Sequence, residues 1–277
     1  MVDQWAAADD AYLRRLASKI DSSVPHSARR YNYWLGGKDN FAADRASGDA
    51  VANMFPSIRT AALENRRFLR RAVSFLAAEQ GIRQFLDIGT GLPTADNTHE
   101  VAQRIAPQSK VVYVDSDPLV MVHARALLTS SPGGGITDYV EADLREPDKI
   151  LNEAARTLDF SQPVALMLIA VLHFIADHDD PYGLVRRLVD ALPSGSYLVI
   201  SHVTGEYFTQ EMLDAFAKSP APAYYRDRGQ VEQFFAGLEL VSPKVVSTTH
   251  WRAESEPEPR PTVEEATAYC GVARKVS

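Results

Sequence analysis

From residue 84 onward, short apolar runs and stretches of helical spacing take turns along the chain. Residues 84–88, 111–115 and 137–141 read as strands, being short, rich in apolar and β-branched positions, and bounded by turn residues. Between them, residues 98–105 and 118–128 read as helices. Asn97 with Glu100 three residues on makes a capping box for the first, and Asp117 followed by Pro118 is an N-cap and N1 pair for the second. Residues 164–169 carry no polar side chain, as a central strand buried on both faces requires. A helix over 184–192, stopped by Pro193-Ser194-Gly195, leads to a strand over 197–202. Such alternation predicts an α/β chain with a parallel sheet and helices on both of its faces.

The flanks depart from this repeat. Residues 1–24 predict a surface helix from Tyr12, Leu13, Leu16 and Ile20, ending before Pro25. A long helix is expected over 60–80, with Leu69, Val73 and Leu76 on one face and Gly81 as its left-handed stop. Arg66, Arg67, Arg70 and Arg71 on that helix read as a solvated face. Beyond residue 203 the pattern gives a helix over 209–217, an irregular stretch over 220–225 and a helix over 229–236. Strands over 238–246 and 268–275 follow, separated by a Pro/Glu-rich loop, and predict an antiparallel hairpin at one edge of the sheet. The division expected is an N-terminal helical cap over 1–58 and a main domain over 59–277.

Candidate chemistry centres on Phe85-Leu86-Asp87-Ile88-Gly89-Thr90-Gly91-Leu92-Pro93-Thr94-Ala95-Asp96, a strand end running into a glycine-bearing loop. Gly89 and Gly91 let the backbone take positive φ and approach a ligand closely. Asp87, at a buried strand end, needs a partner: either the N–H groups of the loop or a positively charged ligand. A dinucleotide fingerprint fits poorly, because Pro93 and Thr94 stand where a third small residue should let the helix pack closely. Asp115 and Asp143 stand at the ends of the next two strands. All carboxyl ends of a parallel sheet open on one edge, so the three acids converge on one crevice. There Asp115 suits the two hydroxyls of a ribose, and Asp143, with the backbone of Leu144, suits an adenine edge. An ammonium and sulfonium beside Asp87 would complete S-adenosylmethionine.

A net charge of −7 argues against general nucleic-acid binding, which uses a basic face. The single cysteine, Cys270, excludes an intrachain disulfide and a multi-cysteine zinc site, and no metal cluster is expected. No apolar run approaches the length of a membrane span. Acidic residues Asp3, Asp9 and Asp10 replace a signal pattern, and a cytoplasmic location is the expectation.

Asp87-Ile88-Gly89-Thr90-Gly91, Val114-Asp115, Ala142-Asp143-Leu144 and Val171-Leu172-His173 resemble the successive cofactor motifs of class I S-adenosylmethionine-dependent methyltransferases. More narrowly, Tyr33-Trp34-Leu35-Gly36-Gly37-Lys38-Asp39-Asn40-Phe41, the block Phe85 to Asp96, and Gly271-Val272-Ala273-Arg274-Lys275 resemble an actinobacterial methyltransferase family first catalogued as a domain of unknown function. The resemblance implies a Rossmann-like, seven-stranded, mostly parallel sheet with an antiparallel last strand. It also implies cofactor contacts at Gly89, Gly91, Asp115, Asp143 and Leu144. It implies no particular substrate.

The aromatics of residues 31–34 either anchor the cap or form a lid, with Gly36-Gly37 as hinge and Tyr31, Tyr33 or Trp34 closing over the cofactor. Tyr33 and Gly37 are therefore counted with the cofactor-binding residues. His173 and His202 are the base candidates, and Tyr207, Tyr224 and Tyr225 are candidates for an acceptor pocket. Neither a cytosine C5 thiolate nor an adenine N6 motif follows the fourth strand, which with the acidic charge favours a small-molecule acceptor. The alternative is a regulatory protein that binds S-adenosylmethionine or S-adenosylhomocysteine without catalysis.

Overall fold

The computed structural model describes residues 18–127, 135–219 and 223–276. Three helices come first: α1 (Ser27–Trp34), α2 (Ala42–Met54) and α3 (Ile58–Ala78). The alternating portion follows as β1 (Gln84–Ile88), α4 (Thr98–Ile105), β2 (Lys110–Asp115), α5 (Pro118–Leu127), β3 (Ile136–Glu141), α6 (Pro147–Ala154), β4 (Ala165–Ile169), α7 (Pro181–Asp190) and β5 (Tyr197–Val203). Then come α8 (Gln210–Ala217), α9 (Arg228–Gln233), β6 (Glu239–Leu240), β7 (Val246–Ser247), α10 (Val263–Ala266) and β8 (Ala268–Arg274). The strands lie in the order β3-β2-β1-β4-β5-β8-β6, with β7 also paired to β8. β1 to β5 run parallel, and β8 is antiparallel to β5, β6 and β7.

The chain thus has the expected mostly parallel sheet with antiparallel C-terminal strands, but eight strands rather than seven among the described residues. The run over 238–246 is not one strand. It breaks at Pro243, which has no N–H for a ladder, and at Lys244, whose φ is +69°, leaving β6 and β7 as two short pieces against β8.

Side chains alternate across the sheet and fill two layers. Leu86, Ile88, Val112, Val114, Leu166 and Leu168 pack on one face with Ile150 of α6, Val185 and Leu188 of α7, and Val231 of α9. Phe85, Val111, Tyr113, Ala165 and Met167 pack on the other with Phe68, Leu69, Val73 and Leu76 of α3 and Val101 of α4. Full burial of a side chain such as Phe68 contributes roughly 1.5–3 kcal/mol. The alternation also sends Asp87 to the face that α3 and α4 cover, which decides its neighbours below.

Of the predicted N-terminal helix, residues 1–17 lie outside the described residues, and 18–24 form turns and bends. Residue 128, the expected end of α5, and residues 220–222 of the irregular stretch also lie outside them. Among the described residues four helices stand where the hydrophobic pattern marks none: α1, α2, α6 and α10. In α2 the Asp44 carboxylate, accepting from Phe41 N–H at 2.8 Å, fixes the start, although few apolar positions follow. The arginine row of α3 is not a solvated face. Arg71 is buried and donates to Trp251 O at 2.8 Å, Thr248 O at 2.5 Å and Glu256 Oε1 at 3.0 Å. Among the described residues no helix is long and apolar enough to cross a membrane.

Candidate functional site

The carboxyl ends of β1 to β5 open into a cavity of about 690 Å³. Its floor is the loop after β1. Gly89 (φ +75°) and Gly91 (φ +66°) both take the left-handed conformation. A Cβ on Gly89 would collide with Val171, so that glycine is needed for close packing of the loop on the residues after β4. A Cβ on Gly91 would meet nothing nearer than Ala28 Cβ at 4.0 Å, so the cavity gains the space.

Asp115, at the end of β2, accepts from Gly91 N–H at 2.8 Å and Asp117 N–H at 2.9 Å, one bond to each carboxylate oxygen. The loop N–H is therefore held by Asp115 rather than by Asp87. Burial pushes the Asp115 carboxyl up, against the pull of those two N–H groups. It borders the cavity with lone pairs to spare. Asp87 is 3 % exposed and accepts from Thr98 Oγ1 of α4 at 2.6 Å. Burial raises its pKa to about 6, with the Thr98 bond and the field of Arg66 opposing. Asp143 is more exposed and pairs with Arg145, whose Nη1 lies 3.1 Å from both carboxylate oxygens. Leu144 beside it is buried, and both line the cavity.

Above this floor lie α1, α2 and residues 208–219 and 223–225. A polar chain ties roof to floor: Tyr31 Oη donates to Ala62 O at 3.0 Å and accepts from Asn65 Nδ2 at 2.9 Å. Ser201 Oγ donates to Asn65 Oδ1 at 2.5 Å and accepts from Ala170 N–H at 3.0 Å. Ala170 itself has φ +53°, a strained conformation for a non-glycine residue at the end of β4. Tyr31 and Trp34 line the cavity, whereas Tyr33 and Gly37 do not. Tyr33 turns away to donate to Asp49 Oδ1 at 2.7 Å and to stack under Arg59. Gly37 is small because the Asn32 side chain occupies the position of its missing Cβ.

His173 sits in a turn after β4, 6 % exposed, lining the cavity, with no hydrogen-bond partner for Nδ1 among the described residues. Burial first, then the charges of His202, Arg226 and Arg30, hold its pKa well below the ordinary value, so the ring is neutral at pH 7. His202 differs. Its Nε2 accepts a hydrogen bond from Arg226 Nη1 at 2.9 Å, which leaves Nδ1–H to donate to Val203 O at 2.8 Å. Burial and the Arg226 charge push it down to about 3. With both nitrogens engaged it has no free lone pair for base catalysis, which corrects the expectation drawn from its strand-end position. Arg226 also donates to Leu172 O, Ile175 O and Asp177 Oδ1, at 3.2, 3.1 and 2.6 Å, and so clamps the turn that carries His173. Tyr224 and Tyr225 line the cavity, with Phe55, Phe208 and Phe216 around them; Tyr207 lies outside, 3.3 Å from Tyr269 Oη.

The model of the S-adenosyl methyltransferase family matches residues 14–276. The chain belongs to that family. It is an S-adenosylmethionine-dependent methyltransferase. A DUF574 family protein of Streptomyces avermitilis is 46% identical over 93% of this chain and 100% of its own, with a TM-score of 0.89. A candidate methyltransferase of Thermobifida fusca is 41% identical over 92% of this chain and 96% of its own, with a TM-score of 0.85. N-methyltransferase NodS of Bradyrhizobium japonicum, in complex with S-adenosylhomocysteine, shares the fold at 12% identity over 90% of this chain and 100% of its own, with a TM-score of 0.50. No curated protein matches this chain.

The methyltransferase cavity fits the cofactor on its own geometry. Gly91 leaves open space beside a buried acid with unused lone pairs, and the volume falls within the roughly 300–1,000 Å³ of small-ligand pockets. Asn65, Arg66, Ser201 and Arg226 gave no sign in the sequence, since each reaches the site from an element whose partners the hydrophobic pattern does not name.

Proposed function

We propose that this methyltransferase acts on a small-molecule acceptor held beneath its N-terminal cap, whose described part is residues 18–58, by in-line transfer. One observation carries the proposal: the cavity beyond the ends of β4 and β5 is walled by Trp34, Phe55, Phe208, Phe216 and Tyr225. About 690 Å³ must take the cofactor and the reacting part of the acceptor together, which leaves room for a compact group against aromatic surfaces.

In this reading Asp115 holds the ribose hydroxyls, Asp143 and the backbone of Leu144 hold the adenine edge, and the Gly89–Gly91 loop lies against the cofactor. Asp87 receives the ammonium. When bound, S-adenosylmethionine supplies a methyl group on a sulfonium, open to displacement by an acceptor lone pair. Fixing the acceptor in line accounts for up to roughly 7–11 kcal/mol of the barrier. The Tyr31–Asn65–Ser201 chain keeps roof and floor in register, and neutral His173 accepts a hydrogen bond from the hydroxyl or amine to be methylated.

The direct test supplies S-adenosylmethionine with a panel of small aromatic phenols, amines and carboxylic acids, and measures release of S-adenosylhomocysteine. Turnover on one such class is the expected result. Turnover confined to protein or nucleic-acid pools would overturn the small-acceptor reading.

The pH dependence follows from Asp87. Its folded pKa of about 6 exceeds the ordinary 3.8, so the free protein retains a proton there as pH falls below 6. An ammonium ligand requires the ionised form. Affinity for S-adenosylhomocysteine is therefore expected to drop about tenfold between pH 7.5 and pH 5. Calorimetric titration across that range checks it, and Asp87→Asn should flatten the profile. Without ligand the sign reverses: the proton taken up by the folded state makes this group favour folding increasingly as pH falls from 6 toward 4.

A further inference from the structure

Arg66 on α3 is half-buried and borders the cavity on the side that also carries Asp87. Its Nη2 donates to Ala95 O and Asp96 O, each at 3.0 Å, and to Asn97 Oδ1 at 3.3 Å, tying the loop after β1 to α3. Those bonds use one nitrogen of the guanidinium. Its Nε is buried with no hydrogen-bond partner among the described residues, a rare state for an N–H inside a folded protein. Arg66 is also the cation whose field acts on Asp87.

The strand order gives these facts a direction. β3, β2 and β1 are neighbours in that sequence across the sheet, so Asp143, Asp115 and Asp87 mark three successive positions along the cavity. A ligand with its adenosine over β3 and β2 extends its remaining arm over β1, where α3 covers the Asp87 face. That arm is an amino acid, with one positive and one negative end. We infer that Arg66 receives the carboxylate of the cofactor's amino-acid arm while Asp87 receives its ammonium, the two opposite charges selecting one orientation of the zwitterion. A planar guanidinium with unused donors is matched to a carboxylate. The assignment rests on the adenosyl placement proposed above.

The experiment compares two probes by calorimetric titration: S-adenosylmethionine and its decarboxylated analogue, which keeps adenosine, sulfonium and ammonium. Wild-type protein is expected to bind the analogue about 10- to 100-fold more weakly. In Arg66→Met the difference between the two probes should vanish, S-adenosylmethionine falling to the level of the analogue, beyond any loss that both share from the broken loop tie. Arg66→Lys keeps the charge without the fork and should recover part of the difference; thermal denaturation of each variant is measured alongside. Equal losses for both probes would make Arg66 a purely structural tie and overturn the assignment. So would a full carboxylate preference surviving in Arg66→Met, or wild-type protein that does not discriminate. If the wild type binds neither probe, the adenosyl placement fails, and this assignment with it.

Discussion

Replacing Asp115 with Ala is expected to weaken S-adenosylhomocysteine binding by about 10²- to 10⁴-fold. Two charge-assisted hydrogen bonds to ribose hydroxyls at roughly 1.5–3 kcal/mol each give that range. The same carboxylate holds Gly91 N–H and Asp117 N–H, so its removal also loosens the loop over which the cofactor lies. A buried N–H left without an acceptor costs about 1–3 kcal/mol, partly offset because a desolvated charge has gone. Thermal denaturation of Asp115→Ala and Asp115→Asn separates the two effects. Asn retains an oxygen for one N–H, so a large loss of binding in Asp115→Asn with little loss of stability would isolate the ribose contribution. Unchanged calorimetric binding in Asp115→Ala would refute the placement.

His173→Ala should lower turnover by about 10²- to 10⁴-fold, the usual worth of a positioned proton acceptor, and leave S-adenosylhomocysteine binding within about twofold. Its neighbours explain both parts. Nδ1 has no partner among the described residues, so the ring loses no hydrogen bond to them on substitution, and burial, with the cationic groups around it, keeps it neutral. Because that pKa lies well below 6.5, turnover should show no separate histidine limb above pH 6; the fall below that value belongs to Asp87. Single-turnover rates with the acceptor identified by the panel provide the measurement. A parallel loss of cofactor binding would assign His173 to packing, as would a rate that does not change.

How far each position could be read beforehand follows from how local its cause is. The capping box of Asn97 and Glu100 forms as its spacing requires, with Asn97 N–H donating to Glu100 Oε2 at 2.8 Å. Asp87, Asp115, Asp143 and Leu144 all border the cavity, because parallel strands bring their carboxyl ends to one edge whatever else the chain does. Tyr33 illustrates the opposite. Adjacent aromatics point in different directions on a helix, and a glycine pair gives no sign of which way they turn. Trp34 and Tyr31 face the cavity, and Tyr33 faces Asp49.

By itself, then, the sequence determined the alternating elements other than α6, the parallel sheet and the row of strand-end acids, all of which follow from periodicity, capping and chain direction. Only the tertiary structure decided what those groups do to one another. Arg226, 24 positions from His202, takes the imidazole lone pair that strand position alone would have left free. Arg66, which reads as one of a solvated row, borders the cavity because α3 lies across the face to which Asp87 points. His173 and His202 each stand at or just beyond the end of a buried strand, and one keeps a ring nitrogen without a partner among the described residues while both nitrogens of the other are engaged. The reason is physical: a hydrogen bond is settled by distance and direction between groups far apart in the chain, and no local pattern records either.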